Sequence, residues 1–218
     1  MQTTPQPITV IAGLGNPGKE YAHTRHNAGF WLLDALAQQC AASWRTDKAY
    51  NADIAKITLA GQSLWLIKPL TFMNLSGHAV VPLMRFYRLH PESLLVAHDE
   101  LDILPGEVRL KQGGGNGGHN GLKDIQAQLG TPNFWRLRLG IGHPRSLQLQ
   151  QEVVNFVLAR APAAQQAAID EAQAACLNSL PGIIGGQKAP FEAAIRSLHS
   201  LKSMSIAPLP IAPQAPSA

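Results

Sequence analysis

Short runs of β-forming residues alternate along this chain with longer segments whose apolar residues recur at helical spacing. Residues 8–14 contain Gly13 and lead into a polar loop, which is typical of a buried strand, and residues 28–41 then place Phe30, Leu33 and Ala37 on one helical face. Strands interleaved with helices in this way predict a single α/β domain, with a sheet flanked by helices.

The same criteria predict the other elements. Two strands at 53–59 and 63–68, separated by Gly61, indicate a hairpin. Four prolines in residues 203–218 indicate an extended tail after a folded domain of residues 1–202. The remaining predicted strands are 94–100, 107–111 and 135–141, and the remaining predicted helices are 76–89, 122–129, 150–158, 163–179 and 188–202.

Composition excludes two classes of protein. The 218 residues are 45% hydrophobic and 15% charged, with a mean hydropathy of -0.03, which argues against a disordered chain and against a membrane protein. The apolar runs are far shorter than the roughly 18 residues that a membrane-spanning helix needs. The first residues also lack the pattern of a secretory signal, so a cytoplasmic location is expected.

The two cysteines and the charge distribution narrow the choice further. Cys40 and Cys176 belong to no C-x-x-C pair, which predicts buried thiols rather than a disulfide or a zinc site. The formal net charge is +4. The stretch from Arg109 to Arg145 contains six basic residues and a single acidic residue, Asp124, so it favours a polyanionic partner.

The sequence GLGNPG at residues 13–18 formally matches the glycine pattern of dinucleotide-binding folds. That fingerprint opens directly into a helix and is followed by an acid at the end of the second strand. Here Pro17 and a polar stretch delay the helix, and Asp34 falls within a helical pattern. The motif therefore predicts either a tight turn or a loop that presents Asn16 to a substrate.

Two histidines, His23 and His26, lie in the polar loop before the first helix. An imidazole, with an ordinary pKa near 6.5, suits proton abstraction at neutral pH. A zinc site is the alternative, but no obvious third ligand lies nearby. Surface histidines without a function are a further interpretation.

Asp99 lies at the carboxyl end of a predicted strand, within HDELD at residues 98–102. Ligands of open α/β sheets gather beyond these strand ends, so Asp99 is placed to orient a loop histidine and stabilise its protonated form. The alternative is that these acids cap a turn before Pro105.

Two further loops carry candidate binding residues. Phe72, Met73 and Asn74 lie between a predicted strand and a predicted helix. Asn74 is suited to hydrogen bonding with an oxyanion. Phe72 and Met73 are suited either to apolar contact with a substrate or to core packing. Ser76 is interpreted as the helix N-cap. Residues 113–121 contain six glycines, which predicts close approach to a phosphate, a gate, or a plain flexible connection.

Taken in order, the motifs GLGNPG, TRHNAG, FMNLSG, HDELD and GGHNGLK, with RLRLGIGHP at residues 136–144, resemble the bacterial peptidyl-tRNA hydrolase family. The resemblance covers about residues 8–200. It implies a single domain with a twisted mixed β-sheet, normally monomeric, without metal or cofactor, that cleaves the ester joining a peptide to tRNA.

The resemblance also implies a role for each matching residue. His26 corresponds to the general base, Asp99 to the carboxylate that stabilises its protonated form, and Asn16 to the residue that distinguishes N-blocked from free aminoacyl-tRNA. The implied substrate-binding residues are Tyr21, Phe72, Met73, Asn74 and Asn120 at the peptide and acceptor end, and Lys111 and Arg138 at tRNA phosphates.

The chain departs from the family pattern at Arg109, where lysine is common, at Asn116, and in the proline-rich tail, for which the resemblance implies no role. Two alternative functions are compatible with these sequence features. A noncatalytic RNA-binding protein would share the fold and basic surface, and a hydrolase of another ester would share the histidine and aspartate.

Overall fold

The computed structural model describes residues 6–185 and 193–194. The strands are β1 (Val10–Gly13), β2 (Arg45–Asp47), β3 (Ala52–Leu59), β4 (Gln62–Pro69), β5 (Leu94–Glu100), β6 (Val108–Gln112) and β7 (Trp135–Gly140). The helices are α1 (Ala28–Gln39), α2 (Ser76–Phe86), α3 (Asn120–Leu129), α4 (Val153–Val157) and α5 (Ala163–Ile184). The predicted helix 188–202, except residues 193–194, the boundary after residue 202 and the tail 203–218 lie outside the described residues.

The seven strands form one mixed sheet in the order β2-β3-β4-β1-β5-β7-β6. Strands β4, β1, β5 and β7 are parallel, whereas β2, β3 and β6 pair antiparallel to their neighbours. The predicted α/β fold with a mixed sheet flanked by helices is confirmed. Because the central strands are parallel, the ends of β1 and β5 meet at one edge of the sheet.

The two faces of the sheet bury separate apolar layers. Along β1, Ile11 packs in the layer under α1 and α5, while Val10 and Ala12 pack in the layer under α2 and α3, as the two-residue period of a strand dictates. Cys176 is buried in the first layer, and burial raises the pKa of its thiol to about 12. Cys40 is half-buried, and neither cysteine forms a disulfide.

The first turn of α1 packs directly on the sheet through Gly29. A Cβ atom at this position would lie 2.5 Å from the backbone nitrogen of Leu14 and would overlap the carbonyl oxygen of Ala97. Only glycine therefore allows α1 to sit this close to β1 and β5. This packing places the preceding 3₁₀ turn, Arg25–Asn27, over the carboxyl ends of both strands.

Several local predictions need correction. The helix predicted at 163–179 continues to Ile184 as α5. Ser76 is not an N-cap: it is the first residue of α2, it is buried, and its hydroxyl donates to the carbonyl oxygen of Met73 at 2.8 Å. Helix α2 ends at Phe86 instead of residue 89, and the short strand β2 was not predicted. None of the described helices combines the length and apolar character needed to cross a membrane.

Candidate active site

A cavity of about 770 Å³ opens at the carboxyl edge of the sheet. Its walls come from the loops after β1, β4 and β5, the glycine-rich loop before α3, and α4. The structure thus brings together segments that are more than a hundred residues apart in the chain. The predicted residues that line this cavity are Asn16, Tyr21, His26, Phe72, Met73, Asn74, Asp99 and Asn120.

His26 and Asp99 are hydrogen-bonded to each other in this cavity. The Nδ1 atom of His26 lies 3.0 Å from both carboxylate oxygens of Asp99, which is buried at the end of β5. Because an ionised carboxylate only accepts hydrogen bonds, the Nδ1 atom carries the proton. This tautomer leaves the Nε2 lone pair of His26 available to a proton donor in the cavity.

The charges of this pair stabilise each other. Burial by itself lowers the pKa of His26, but the charge of Asp99 and the hydrogen bond to it outweigh burial and raise the pKa above its ordinary value. Burial likewise acts to raise the pKa of Asp99, and the two neighbouring histidines, His26 and His119, overcome it, so the pKa of the carboxyl is lowered. Asp99 is therefore ionised at neutral pH, and His26 readily accepts a proton.

His119, which was not predicted as a site residue, is a second histidine on the same carboxylate. Its Nε2 atom lies 2.9 Å from Oδ1 of Asp99, and its Nδ1 atom accepts hydrogen bonds from the backbone N–H groups of Gly121 and Leu122 at 3.2 and 3.4 Å. His119 is thus the N-cap of α3. Its position just before an amphipathic helix is the one available sequence signal, although Ser, Thr, Asp and Asn are the usual N-caps.

The donor atoms of His26, Asp99 and His119 lie within 4.8 Å of one another, a spacing that would suit a metal ion. The hydrogen bonds do not fit that use. Since two backbone N–H groups point at Nδ1 of His119, the proton of this ring is on Nε2, the atom that would have to bind the metal. The predicted alternative with His23 also fails, because His23 is exposed and lines a separate cleft beside Trp31.

A third histidine, His98, contacts the backbone of Asp99. It is buried in β5, its Nδ1–H donates to the carbonyl oxygen of Asp99 at 2.7 Å, and its ring lies 5.1 Å from that of His119. Burial is the largest cause that lowers its pKa, to about 3. His98 therefore stays neutral at physiological pH and does not compete for the proton.

Hydrogen bonds fix the orientation of the Asn16 side chain. Its Oδ1 atom accepts from the backbone N–H of Met73 at 2.8 Å, so the Nδ2 group is the part of the amide that is left to donate to a substrate. Asn27 holds the backbone of Asn16 in a reciprocal pair, with both distances 2.9 Å. Asn27 was not predicted, because nothing in its local sequence indicates a partner eleven residues away.

The remaining cavity residues differ in exposure. Phe72 is 57% exposed and meets Tyr21 edge to face, with ring centroids 6.3 Å apart. Met73 is buried in the apolar layer beneath α2 and α3, so its side chain mainly supports the cavity floor. Asn74 and Asn120 are both exposed at the cavity surface.

The two predicted phosphate contacts, Lys111 and Arg138, lie outside the cavity on β6 and β7. Lys111 is exposed, whereas Nε of Arg138 donates to Oε2 of Glu100 at 2.8 Å. The neighbouring Arg136 is buried and holds the carbonyl oxygens of two residues in the glycine-rich loop, so it is not available to a phosphate.

Comparisons with known proteins agree with this architecture. The family model described as peptidyl-tRNA hydrolase matches residues 10–204. The chain is 54% identical to a peptidyl-tRNA hydrolase of Bordetella avium over 195 residues, which is 89% of this chain and 93% of that protein. A peptidyl-tRNA hydrolase of Neisseria gonorrhoeae is 53% identical over 88% of this chain and 97% of its own length.

Solved structures show the same similarity. The crystal structure of peptidyl-tRNA hydrolase from Acinetobacter baumannii is 42% identical, with a TM-score of 0.82 over 89% of this chain and 96% of that one. A crystal structure of a peptidyl-tRNA hydrolase with N-propanol is 43% identical, with a TM-score of 0.84 over 90% of this chain and 97% of that one.

Proposed function

Because the chain belongs to the peptidyl-tRNA hydrolase family and cleaves the ester bond between a peptide and tRNA, we propose that His26 is the general base of this hydrolysis. The observation that carries the proposal is the hydrogen bond between Nδ1 of His26 and buried Asp99. It holds the ring with Nε2 free, and it stabilises the imidazolium that forms when Nε2 takes a proton.

The reaction follows from this arrangement. Nε2 of His26 takes a proton from a water molecule as its oxygen attacks the ester carbonyl, and Asp99 stabilises the positive charge on the ring. The tetrahedral intermediate then breaks the bond to the ribose oxygen, which recovers the proton from Nε2. The products are free tRNA and a peptide carboxylate. An ester has a better leaving group than an amide, so no covalent nucleophile is needed.

Amide groups around the cavity supply the remaining interactions. The exposed side chains of Asn74 and Asn120 are suited to donate to the developing oxyanion and to bind the substrate. The Nδ2 group that Asn16 retains favours a neutral acyl carbonyl, and it disfavours the ammonium of a free aminoacyl-tRNA because both are donors. Tyr21 and Phe72 offer aromatic faces for the acceptor end or the peptide.

We further propose that Lys111 and Arg138 bind tRNA phosphates beside the cavity, since both lie on neighbouring strands at the basic end of the sheet. We also propose a monomeric enzyme, the state that the resemblance to the family implies. A cytoplasmic location is proposed because peptidyl-tRNA arises where translation takes place.

Replacement of His26 by alanine tests the mechanism. We expect kcat for purified peptidyl-tRNA to fall by about 10²- to 10⁴-fold, the usual contribution of a general base, while substrate binding largely survives. His23→Ala is the matched control, because His23 is an exposed histidine outside the cavity. Near-native hydrolysis by the His26 variant would rule out the proposed base.

A further inference from the structure

One wall of the cavity is apolar and belongs to the short helix α4. Val153, Val154 and Leu158 line the cavity there, and their exposed fractions are 37%, 59% and 38%. Helix α4 lies against the 3₁₀ turn Arg25–Asn27. Its buried residues Phe156 and Val157 pack with Ile141 and with Ile169 of α5. The position of this wall therefore depends in part on the turn that carries the proposed base.

Arg25 makes the connection between this turn and the wall. Its Nη1 atom donates to the carbonyl oxygens of Phe156 and Ala159 at 3.0 and 3.2 Å, and its Nη2 atom donates to Oε1 of Gln165 at 3.3 Å. The guanidinium also lies 4.0 Å from the centre of the Phe156 ring. Phe156 belongs to α4 and Ala159 lies two residues beyond its end, and the backbone N–H of Arg25 also donates to the Ala159 carbonyl oxygen. Arg25 therefore ties the C-terminal end of α4 to the turn.

The charge of Arg25 does not explain its presence. Arg25 is only 3% exposed, and within the described part of the chain it forms no ion pair with a carboxylate. A buried cation is costly unless its hydrogen bonds are satisfied, and burial lowers the pKa of this guanidinium. The causes that shift the pKa of His26 are burial and Asp99, with no contribution from Arg25. Its role is therefore one of geometry.

We propose that Arg25 is a positioning residue that holds the α4 wall against the acyl side of the substrate, and that this wall favours apolar side chains next to the scissile ester. The proposal rests on the proposed function. Arg25 and His26 are consecutive, so a single turn sets the position of both the wall and the base. A lysine can make only some of the contacts of the planar guanidinium, which meets three acceptors and a ring at once.

The test compares two substrates on the same tRNA, N-acetyl-leucyl-tRNA and N-acetyl-glycyl-tRNA. Contact with a leucine side chain raises kcat/KM by about fourfold for each methylene that the wall covers, so the wild-type enzyme prefers the leucyl substrate. In Arg25→Met the ratio of kcat/KM for the leucyl substrate to that for the glycyl substrate falls towards one, mainly through a higher KM for the leucyl substrate. Arg25→Lys retains part of this preference. The pH profile of kcat is unchanged, because Arg25 does not act on the base.

Arg136→Met is the matched control, because Arg136 is equally buried but holds Gly114 and Gly115 instead of α4. We expect it to retain the leucyl preference. Equal losses on both substrates in Arg25→Met, or a loss of preference in Arg136→Met as well, would show that the arginine only stabilises the fold and would overturn the proposal.

Val154→Ser tests the wall without removing a buried residue, since Val154 is 59% exposed. It should lower the leucyl preference by roughly threefold to tenfold. If Arg25→Met does not fold, this variant decides the outcome, and an unchanged preference contradicts the proposal. If the wild-type enzyme shows no preference for the leucyl substrate, the proposal is wrong but the proposed function stands. If the wild-type enzyme hydrolyses neither substrate, the proposed function itself is wrong.

Discussion

At the scale of single residues, the charge of Asp99 sets the pH at which His26 loses its proton. The base acts only when Nε2 is unprotonated, so activity rises with pH as His26 titrates. Because Asp99 raises the pKa of His26, the wild-type enzyme should lose activity as the pH falls through a value above 6.5.

Asp99→Asn should shift the acid limb of the pH profile, the range over which activity is lost as the pH falls. The substitution removes the charge that raises the pKa of His26 and leaves burial, which lowers it, so the limb shifts to lower pH. The plateau rate should fall by about a hundredfold or more, because the imidazolium loses its counter-ion. The measurement is kcat/KM from pH 5 to 9 for both proteins. A limb that stays in place would mean that another group controls the rate.

The sequence identifies site residues by chemical type and misses those that act through backbone contacts. A histidine in a loop and an aspartate at a strand end suggest their roles before the fold is known. Asn27 and Arg25 do not, since their partners are the backbone of Asn16 and carbonyl groups more than 130 residues away. Such contacts leave no local pattern, because any residue offers the same backbone atoms.

At the scale of elements, the N-terminus of α3 is joined through His119 to the carboxylate of Asp99, the proposed partner of the base. One ring nitrogen caps the helix and the other donates to Asp99. Helix α3 also begins with Asn120, so the cap positions the amide that we propose binds substrate together with the carboxylate.

Two substitutions of His119 separate these functions. His119→Ala should lower the free energy of unfolding by about 1 kcal/mol through loss of the cap. His119→Asn keeps a capping oxygen and should recover most of that stability. Both should lose roughly tenfold in kcat, because alanine has no donor and the asparagine amide is too short to cap α3 and also reach Asp99 as Nε2 of His119 does. Urea unfolding and steady-state kinetics measure the two effects, and recovery of kcat by asparagine would contradict the donor role.

Periodicity predicts the long elements and fails for the short ones. The hairpin of β3 and β4 and the helices α1 and α2 follow their apolar patterns, because each buries one face against the sheet. Strand β2 has three residues with little burial, too few for a pattern. Ser76 looked like an N-cap by residue type, yet its hydroxyl serves the preceding turn, which sequence spacing does not reveal.

At the scale of the whole molecule, the basic end of the sheet should capture tRNA electrostatically. Lys111 is exposed on the edge strand β6, while Arg138 is held by Glu100. Phosphate contacts weaken with salt, because binding releases counterions. Lys111 is thus the residue whose loss should affect capture directly.

Lys111→Ala should raise KM more than it lowers kcat, and it should reduce the slope of log(kcat/KM) against log[salt] by about 0.7 to 0.9. Lys48→Ala is the matched control, since it removes the same charge from an exposed turn at the opposite end of the sheet. The measurement is a salt series with peptidyl-tRNA. Equal slopes for the two variants would exclude a phosphate contact at Lys111.

The order of the strands is the part of the fold that the residues alone do not predict. β1 pairs with β4 and β5, and β5 pairs with β7, so strands distant in sequence become neighbours. Alternating strands and helices predict the class of fold, but pairings across such distances depend on how whole layers pack. The mixed sheet was therefore expected from the resemblance to a family and not from the pattern.

The close packing at Gly29 has a consequence for attempts to redesign this enzyme. No side chain fits between α1 and the sheet there, so the height of the base above the strands is not open to adjustment. Laboratory evolution towards new acyl groups should consequently accumulate changes in the walls, at Val153, Val154 and Leu158, and leave the chemistry intact. A library restricted to those wall positions would explore substrate range at little risk to catalysis.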